Sequence, residues 1–195
     1  MTANLMSEFI NYLRIENFLK QESVTRLISF CNKNEAKFAK AEMIPPSEGS
    51  RKSLVYYNYK DSIIQNRITS TLPMALPRLN LPIANIGGLT MDMQLTASGD
   101  GSFLAPHPDK TELTKHFLSF VYYFSATPKM FSGGKLLLHL RSPEDGCFVE
   151  VEPKNNSLIL FDSKLWHEVL PVRVPSQQFI HSRFTVNGWF SNQVI

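Results

Sequence analysis

The chain is expected to fold as α+β, with a mainly helical front over residues 1–89 and a strand-rich back over residues 90–195. Two observations carry this. In the front, Val24, Leu27, Ile28 and Cys31 follow the i, i+3, i+4, i+7 spacing of one helix face. In the back, short β-branched and aromatic runs alternate with Gly, Pro, Ser and Asp breaks, the pattern of a sandwich or jelly roll.

Each element has a local reason. The spacing predicts a helix over Glu22 to Lys40. Ile44 to Ser50 holds Pro45, Pro46 and Gly49 and reads as a loop. Leu54 to Tyr57 reads as a short strand. Ile63, Ile64, Ile68 and Leu72 predict a second helix, interrupted at Pro73 and Pro77. Gly87-Gly88 breaks the chain again. Strands are then expected at Thr90–Thr96, Phe117–Phe124, Lys135–Leu140, Phe148–Val151, Ser157–Phe161, His167–Val172 and Ser182–Phe190. Gly99-Asp100-Gly101, Ser132-Gly133-Gly134 and Pro143-Glu144-Asp145-Gly146 supply turns. No repeat or low-complexity segment is present, and the helices are expected to pack on one sheet of a single domain spanning 1–195.

Composition narrows the function classes. The chain has 195 residues, 43% hydrophobic and 19% charged, as in an ordinary globular domain. A net charge of +3 with scattered basic residues gives no patch for nucleic acid or an anionic membrane. No segment approaches a membrane span, and no signal peptide is visible. Cys31 and Cys147 lie far apart in apolar stretches and read as buried free thiols in a reducing compartment, so a cytoplasmic location is expected. The oligomeric state is left open.

The chemistry concentrates in the back half. His107 and Asp109 flank Pro108, and residues i and i+2 of an extended strand point the same way. His167 follows the run Leu160-Phe161-Asp162 and a short loop, so it can approach from across a barrel. Two imidazoles and one carboxylate can hold one face of a ferrous ion and leave three positions open. Along the last strand, Arg183, Thr185, Asn187 and Trp189 share one face, and Phe184, Val186 and Phe190 share the other. A buried arginine there has a reason only if an anion meets it, because an unpaired buried charge is costly. Bland readings stand beside these: a chance His-x-Asp, a core histidine at 167, and an Arg183 pair with Asp162.

From Met91 to Phe190 the chain resembles the Fe(II)/2-oxoglutarate-dependent dioxygenases of the prolyl 4-hydroxylase type. The resemblance rests on ordered segments: Gly99-Asp100-Gly101, His107-Pro108-Asp109, Phe120-Val121-Tyr122-Tyr123-Phe124 and Ser132-Gly133-Gly134-Lys135-Leu136. It continues through Leu158-Ile159-Leu160-Phe161-Asp162 and Trp166-His167-Glu168-Val169-Leu170-Pro171-Val172, then Arg183 and Trp189-Phe190. It implies a double-stranded β-helix, or jelly-roll, catalytic core over residues 90–195 with helical support in front.

The resemblance also implies roles. His107, Asp109 and His167 correspond to the iron ligands, and Arg183 to the partner of the far carboxylate of 2-oxoglutarate. Tyr123 matches a tyrosine that bonds the same carboxylate, Thr185 adds a hydroxyl to it, and Leu136 lines the pocket. Ala97 stands where a cosubstrate-binding tyrosine often sits, and His116 where an arginine often flanks the mouth, which makes His116 a candidate substrate contact. The cofactors implied are Fe(II), 2-oxoglutarate and O2, with ascorbate as reductant. The implied reaction hydroxylates an unactivated C–H bond of an amino-acid-like or peptidyl (prolyl-type) substrate and releases succinate and CO2. Its alternatives are desaturation or epoxidation of a natural-product intermediate, or a noncatalytic jelly-roll module that keeps a metal site.

Other polar residues have ordinary readings. His139 sits in Leu136-Leu137-Leu138-His139-Leu140 and reads as structural, and His181 as a surface residue. Trp166 and Trp189 read as mostly core, the former also able to shield the iron. Asp61, Asp92 and Asp145 read as caps or turn residues.

Overall fold

The computed structural model describes residues 11–41, 49, 51–82 and 86–192. In chain order it runs β1 (Tyr12–Glu16), α1 (Gln21–Lys33), β2 (Ala39–Lys40), β3 (Arg51–Lys52) and β4 (Leu54–Tyr56). Then come α2 (Ser62–Thr69), α3 (Leu72–Arg78), β5 (Leu89–Ser98), β6 (Phe103–His107) and β7 (His116–Phe124). β8 (Ser132–Gly133), β9 (Leu136–His139), β10 (Phe148–Val151) and β11 (Ser157–Asp162) follow. The last are β12 (His167–Val169), β13 (Val172–Arg173) and β14 (Arg183–Asn192).

The strands form a seven-stranded sheet of order β1-β11-β7-β14-β5-β4-β2 and a five-stranded sheet of order β10-β9-β12-β6-β3. A small pair, β13-β8, stands apart. Neighbouring strands run antiparallel. Register is set by alternation. On β7, Leu118, Phe120, Tyr122 and Phe124 join the core under the helices, while Val121 and Tyr123 pack with Leu136 and Leu138 of the other sheet. A one-residue slip would exchange these faces, so the buried sets hold the register.

The helices pack on the seven-stranded sheet, as expected. Val24, Leu27 and Cys31 of α1, Ile64 and Ile68 of α2, and Leu72 and Leu76 of α3 share one core with Leu95, Leu158, Leu160 and Val186. Asp61 caps α2 by accepting from the Ile63 and Ile64 amides, and it also pairs with Arg26 at 2.6 Å.

Several boundaries differ from the sequence expectation. α1 ends at Lys33, short of Lys40. The Asn34 side chain and amide both donate to the Phe30 carbonyl and close the last turn, and Phe38 then enters an aromatic cluster with Tyr56 and Phe179. The second helix is two: Ser70 and Thr71 hydroxyls donate to the Arg67 and Ile68 carbonyls and end α2, and Pro73 opens α3. The expected His167–Val172 strand splits at Leu170-Pro171. β1, β2, β3 and β6 are additional to the expected strands. Ser132-Gly133, which reads as a turn, also pairs with β13. The loop expected at residues 44–50 falls almost wholly outside the described residues. Asp92 lies within β5 rather than at a cap or turn, whereas Asp145 closes a single turn of 3-10 helix.

The cysteines differ from each other. Cys31 is buried and burial pushes its thiol up to about 12, whereas Cys147 is exposed, contrary to expectation. Under native conditions a disulfide-exchange reagent should therefore modify Cys147 alone, and Cys31 only after denaturation. Equal labelling rates, measured by intact mass, would contradict this burial. Among the described residues no helix is long and apolar enough to cross a membrane.

Candidate functional site

The two sheets face each other across a cavity of about 70 Å³ that opens to solvent. Strand alternation builds its walls. Gln94, Thr96 and Ser98 of β5, and Arg183, Thr185, Asn187 and Trp189 of β14, point inward. Leu95, Ala97, Phe184, Val186 and Phe190 point to the helical core. The face assignment for the last strand is thus borne out. Ala97 is not on the cavity side at all, and its neighbour Ser98 takes that wall.

His107, Asp109 and His167 converge at one end. One ligand-type atom from each lies within 4.8 Å of the others. His107 Nε2 is 3.6 Å from Asp109 Oδ1, and His167 Nε2 is 3.4 Å from Asp109 Oδ2. β6 pairs with β12 so that His107 stands directly opposite His167. The geometry differs from the expectation in one respect: β6 ends at His107, and Asp109 sits in the loop beyond it. The loop is fixed by the Lys110 amide on the Ser163 carbonyl at 2.8 Å and the Thr114 hydroxyl on the Asp109 carbonyl at 2.6 Å.

Each imidazole is oriented from behind. His107 Nδ1 lies 3.0 Å from the Ala105 carbonyl and His167 Nδ1 2.9 Å from that of Leu165. A carbonyl only accepts, so each Nδ1 carries a proton and each Nε2 is turned towards Asp109. Burial pushes the His167 imidazole towards its neutral form, against the pull of the Asp109 charge. Burial alone would raise the Asp109 carboxyl, but the charges of His167 and His107 and the Ser119 hydroxyl outweigh it and hold it well below the usual carboxylate range. Two imidazole nitrogens and one carboxylate oxygen facing a common point are a donor set for a divalent transition metal with open positions.

Ser119 carries no signal in the sequence. Its hydroxyl donates to Asp109 Oδ2 at 2.6 Å, and so accepts from the Ser163 hydroxyl 2.8 Å away. This chain of bonds fixes the carboxylate plane. Ser119→Ala should weaken metal binding about 10–100-fold while leaving the fold intact. Titration with Co(II), followed by its visible absorption, checks this; wild-type affinity would deny Ser119 that role.

Arg183 and Tyr123 sit deeper. Arg183 is 3% exposed, and its partners are neutral: Nε donates to the Gly134 carbonyl at 3.0 Å and Nη1 to the Ser98 hydroxyl at 3.2 Å. No carboxylate pairs with it among the described residues, so the Asp162 pairing is absent; Asp162 Oδ1 instead accepts from the Lys164 amide. The Arg183 guanidinium lies 5.1 Å from the Tyr123 ring centroid. Tyr123 Oη is buried without a hydrogen-bond partner. A desolvated cation beside an orphaned phenol is a receptor for an anion. Thr185 and Leu136 also line this part of the cavity. Gly134, at φ +69, is required here: a Cβ would stand 2.7 Å from Arg183 Cδ.

The remaining candidates divide. His116 does not line the cavity; it stacks on Trp189, which does, with ring centroids 5.2 Å apart. Trp189 is half-buried and Trp166 is exposed, so neither is a core residue. His139 is buried and pairs with Glu168 at 3.0 Å, a structural role as expected. His181 bonds the Ser176 hydroxyl at 2.7 Å. Arg51 lines the cavity and, like Ser119, has no motif around it to mark it in the sequence.

Comparisons with known proteins identify the family. Residues 93–191 match the family model described as the 2OG-Fe(II) oxygenase superfamily. An uncharacterised PKHD-type hydroxylase of Synechocystis sp. is 33% identical over 195 residues, covering 94% of this chain. The chain spans 64% of that relative's length. Among solved structures, a Pseudomonas putida prolyl-4-hydroxylase superposes with a TM-score of 0.66 at 21% identity, covering 98% of this chain and 96% of that one. A Trichoplax adhaerens prolyl hydroxylase, solved with a hypoxia-inducible-factor degradation-domain peptide, gives 0.66 at 17% identity, covering 96% and 86%. A collagen prolyl hydroxylase of Paramecium bursaria chlorella virus-1, in its 2OG complex, gives 0.63 at 18% identity, covering 94% and 97%. These structural likenesses speak for the fold alone. With the family model spanning residues 93–191, which include His107, Asp109, His167 and Arg183, the chain belongs to the 2OG-Fe(II) oxygenase superfamily.

Proposed function

We propose that this chain is an Fe(II)/2-oxoglutarate-dependent hydroxylase acting on an unactivated C–H bond of an amino-acid-like or peptidyl, prolyl-type substrate. The observation that carries the reading is the pairing of two receptors in one cavity: three metal-type donors at one end, and an uncompensated guanidinium with an orphaned phenol at the other. A simple metal-binding module has no use for the second receptor.

The residues divide the work. His107, Asp109 and His167 would hold the ferrous ion. Arg183 would take the far carboxylate of 2-oxoglutarate, with the Tyr123 and Thr185 hydroxyls beside it. Leu136, Phe161 and Val169 give this end an apolar lining that keeps water out. Bound together, the metal and cosubstrate supply the oxidising chemistry: decarboxylation to succinate and CO2 coupled to oxidation of the substrate by O2, with ascorbate as a sustaining reductant. The protein contributes orientation, imidazole donors and exclusion of water. We read the two facing sheets as the double-stranded β-helix of this family, with residues 1–89 as its support, and place the enzyme in the cytoplasm.

A substrate panel with Fe(II), 2-oxoglutarate and ascorbate, followed by succinate formation, tests the reading. Under labelled dioxygen the product should gain one labelled oxygen by mass spectrometry. A loss of two hydrogens would mark a desaturase instead. Absence of succinate across amino-acid and peptide substrates would count against the class named here.

A further inference from the structure

The cavity holds a second guanidinium that the cosubstrate clamp does not use. Arg51 opens β3 at the edge of the five-stranded sheet and reaches across to the other sheet. Its Nε donates to the Ser53 hydroxyl at 3.0 Å and its Nη2 to the Thr96 hydroxyl of β5 at 3.4 Å. Both partners are neutral, and among the described residues no carboxylate pairs with it. Burial works against its charge, Tyr57 and Asp109 favour it, and Arg183 opposes it.

Its position is informative. Thr96 stands opposite Thr185, and the next inward position, Ser98, stands opposite Arg183. The two guanidiniums are therefore anchored at successive inward positions of one wall, a spacing of about 6–7 Å along the strand. Arg51 also lines the outer groove beside the cavity, with Lys52, Gly99 and Gln178. It thus lines both the cavity and the groove beside it.

Charge points the same way. With a ferrous ion and a dicarboxylate in place, Asp109 and the two guanidiniums leave the cavity one positive charge in excess. A buried excess charge is costly unless a ligand supplies its partner. A purely structural tie between β3 and β5 would need only a neutral donor.

We propose that Arg51 binds a carboxylate of the substrate that is oxidised, so that this enzyme selects compounds carrying an anionic group near the reacting C–H bond. This rests on the oxygenase reading above. A guanidinium is suited to it because its planar fork meets a carboxylate through two bonds, which an amide or a lysine cannot reproduce.

The test uses the full chain loaded with Mn(II) and 2-oxoglutarate under argon. The probes are the common L-amino acids, each compared with its own carboxamide by titration calorimetry. At least one acid should bind about tenfold or more tighter than its amide, as expected of a charge-assisted pair. Arg51→Gln should shrink that preference to less than about twofold and Arg51→Lys should restore part of it, with 2-oxoglutarate affinity kept within about threefold of wild type. Equal binding of acids and amides by wild type, or an unchanged preference in Arg51→Gln, overturns the proposal. So does a loss of 2-oxoglutarate affinity in Arg51→Gln as large as that in Arg183→Gln, which would assign Arg51 to the cosubstrate. If wild-type protein with Mn(II) fails to bind 2-oxoglutarate, the oxygenase reading falls and takes this proposal with it.

Discussion

His107→Ala and His167→Ala are each expected to bind Fe(II) more than about 100-fold more weakly than wild type and to lose turnover altogether. The scale follows from the surroundings: outer partners of metal ligands are worth about 10–100-fold, so removal of a ligand costs more. Both imidazoles are held by a carbonyl at Nδ1, and Nε2 has no partner but Asp109 and whatever lies between them. Truncation removes a donor that no described neighbour can replace. Co(II) and Mn(II) titrations measure the binding loss without the oxidation that complicates Fe(II), since these ions suit the same open site. Full metal affinity in either variant would show that the cluster is not the metal site. His139→Ala is the contrast: it should cost stability through the lost Glu168 pair but leave a metal site of the same composition.

Arg183→Gln is expected to weaken 2-oxoglutarate binding roughly 30-fold or more, the equivalent of about 2–5 kcal/mol for losing one side of a desolvated charge pair. Metal affinity should stay near wild type, because Arg183 touches Gly134, Ser98 and the Tyr123 ring and none of the three ligands. Arg183→Lys should recover only part, since an ammonium cannot make the planar two-bond contact. Gly134→Ala should move in the same direction, because its new methyl would collide with Arg183 Cδ and displace the guanidinium. Titration of 2-oxoglutarate into the Mn(II) form separates these outcomes. If the glutamine variant binds as tightly as wild type, the anion receptor lies elsewhere, and Arg51 becomes the first place to look.

A strand with a strict alternation is legible in the sequence. β14 carries Phe184, Val186 and Phe190 on one face, which follows from the alternation alone, whereas β7 and β11 are nearly continuous apolar runs buried on both faces. The same alternation puts Arg183, Thr185, Asn187 and Trp189 on one wall. His107, Asp109 and His167 are legible through residue type and order. So is the capping role of Asp61, because a carboxylate just before an apolar helix face has few other uses.

What is not legible depends on long-range partners. β2, β3 and β8 are two residues each, too short to show a period, and they exist because β4, β6 and β13 offer them hydrogen bonds. Ala97 and Ser98 take their sides from a register that sets Ser98 opposite Arg183. Trp166 has the neighbours of a buried residue, yet the turn that delivers His167 into the cavity leaves the preceding indole outside. Ser119 and Arg51 have no local signature. One matters because Asp109 folds back onto β7, the other because β3 lies beside β6 and reaches β5. Residue type and alternation are local properties, so they suffice to say which side chains can perform the chemistry and which strand faces must be buried. Which of those side chains meet is a matter of tertiary structure, because the pairing of distant strands sets distances that no local pattern encodes.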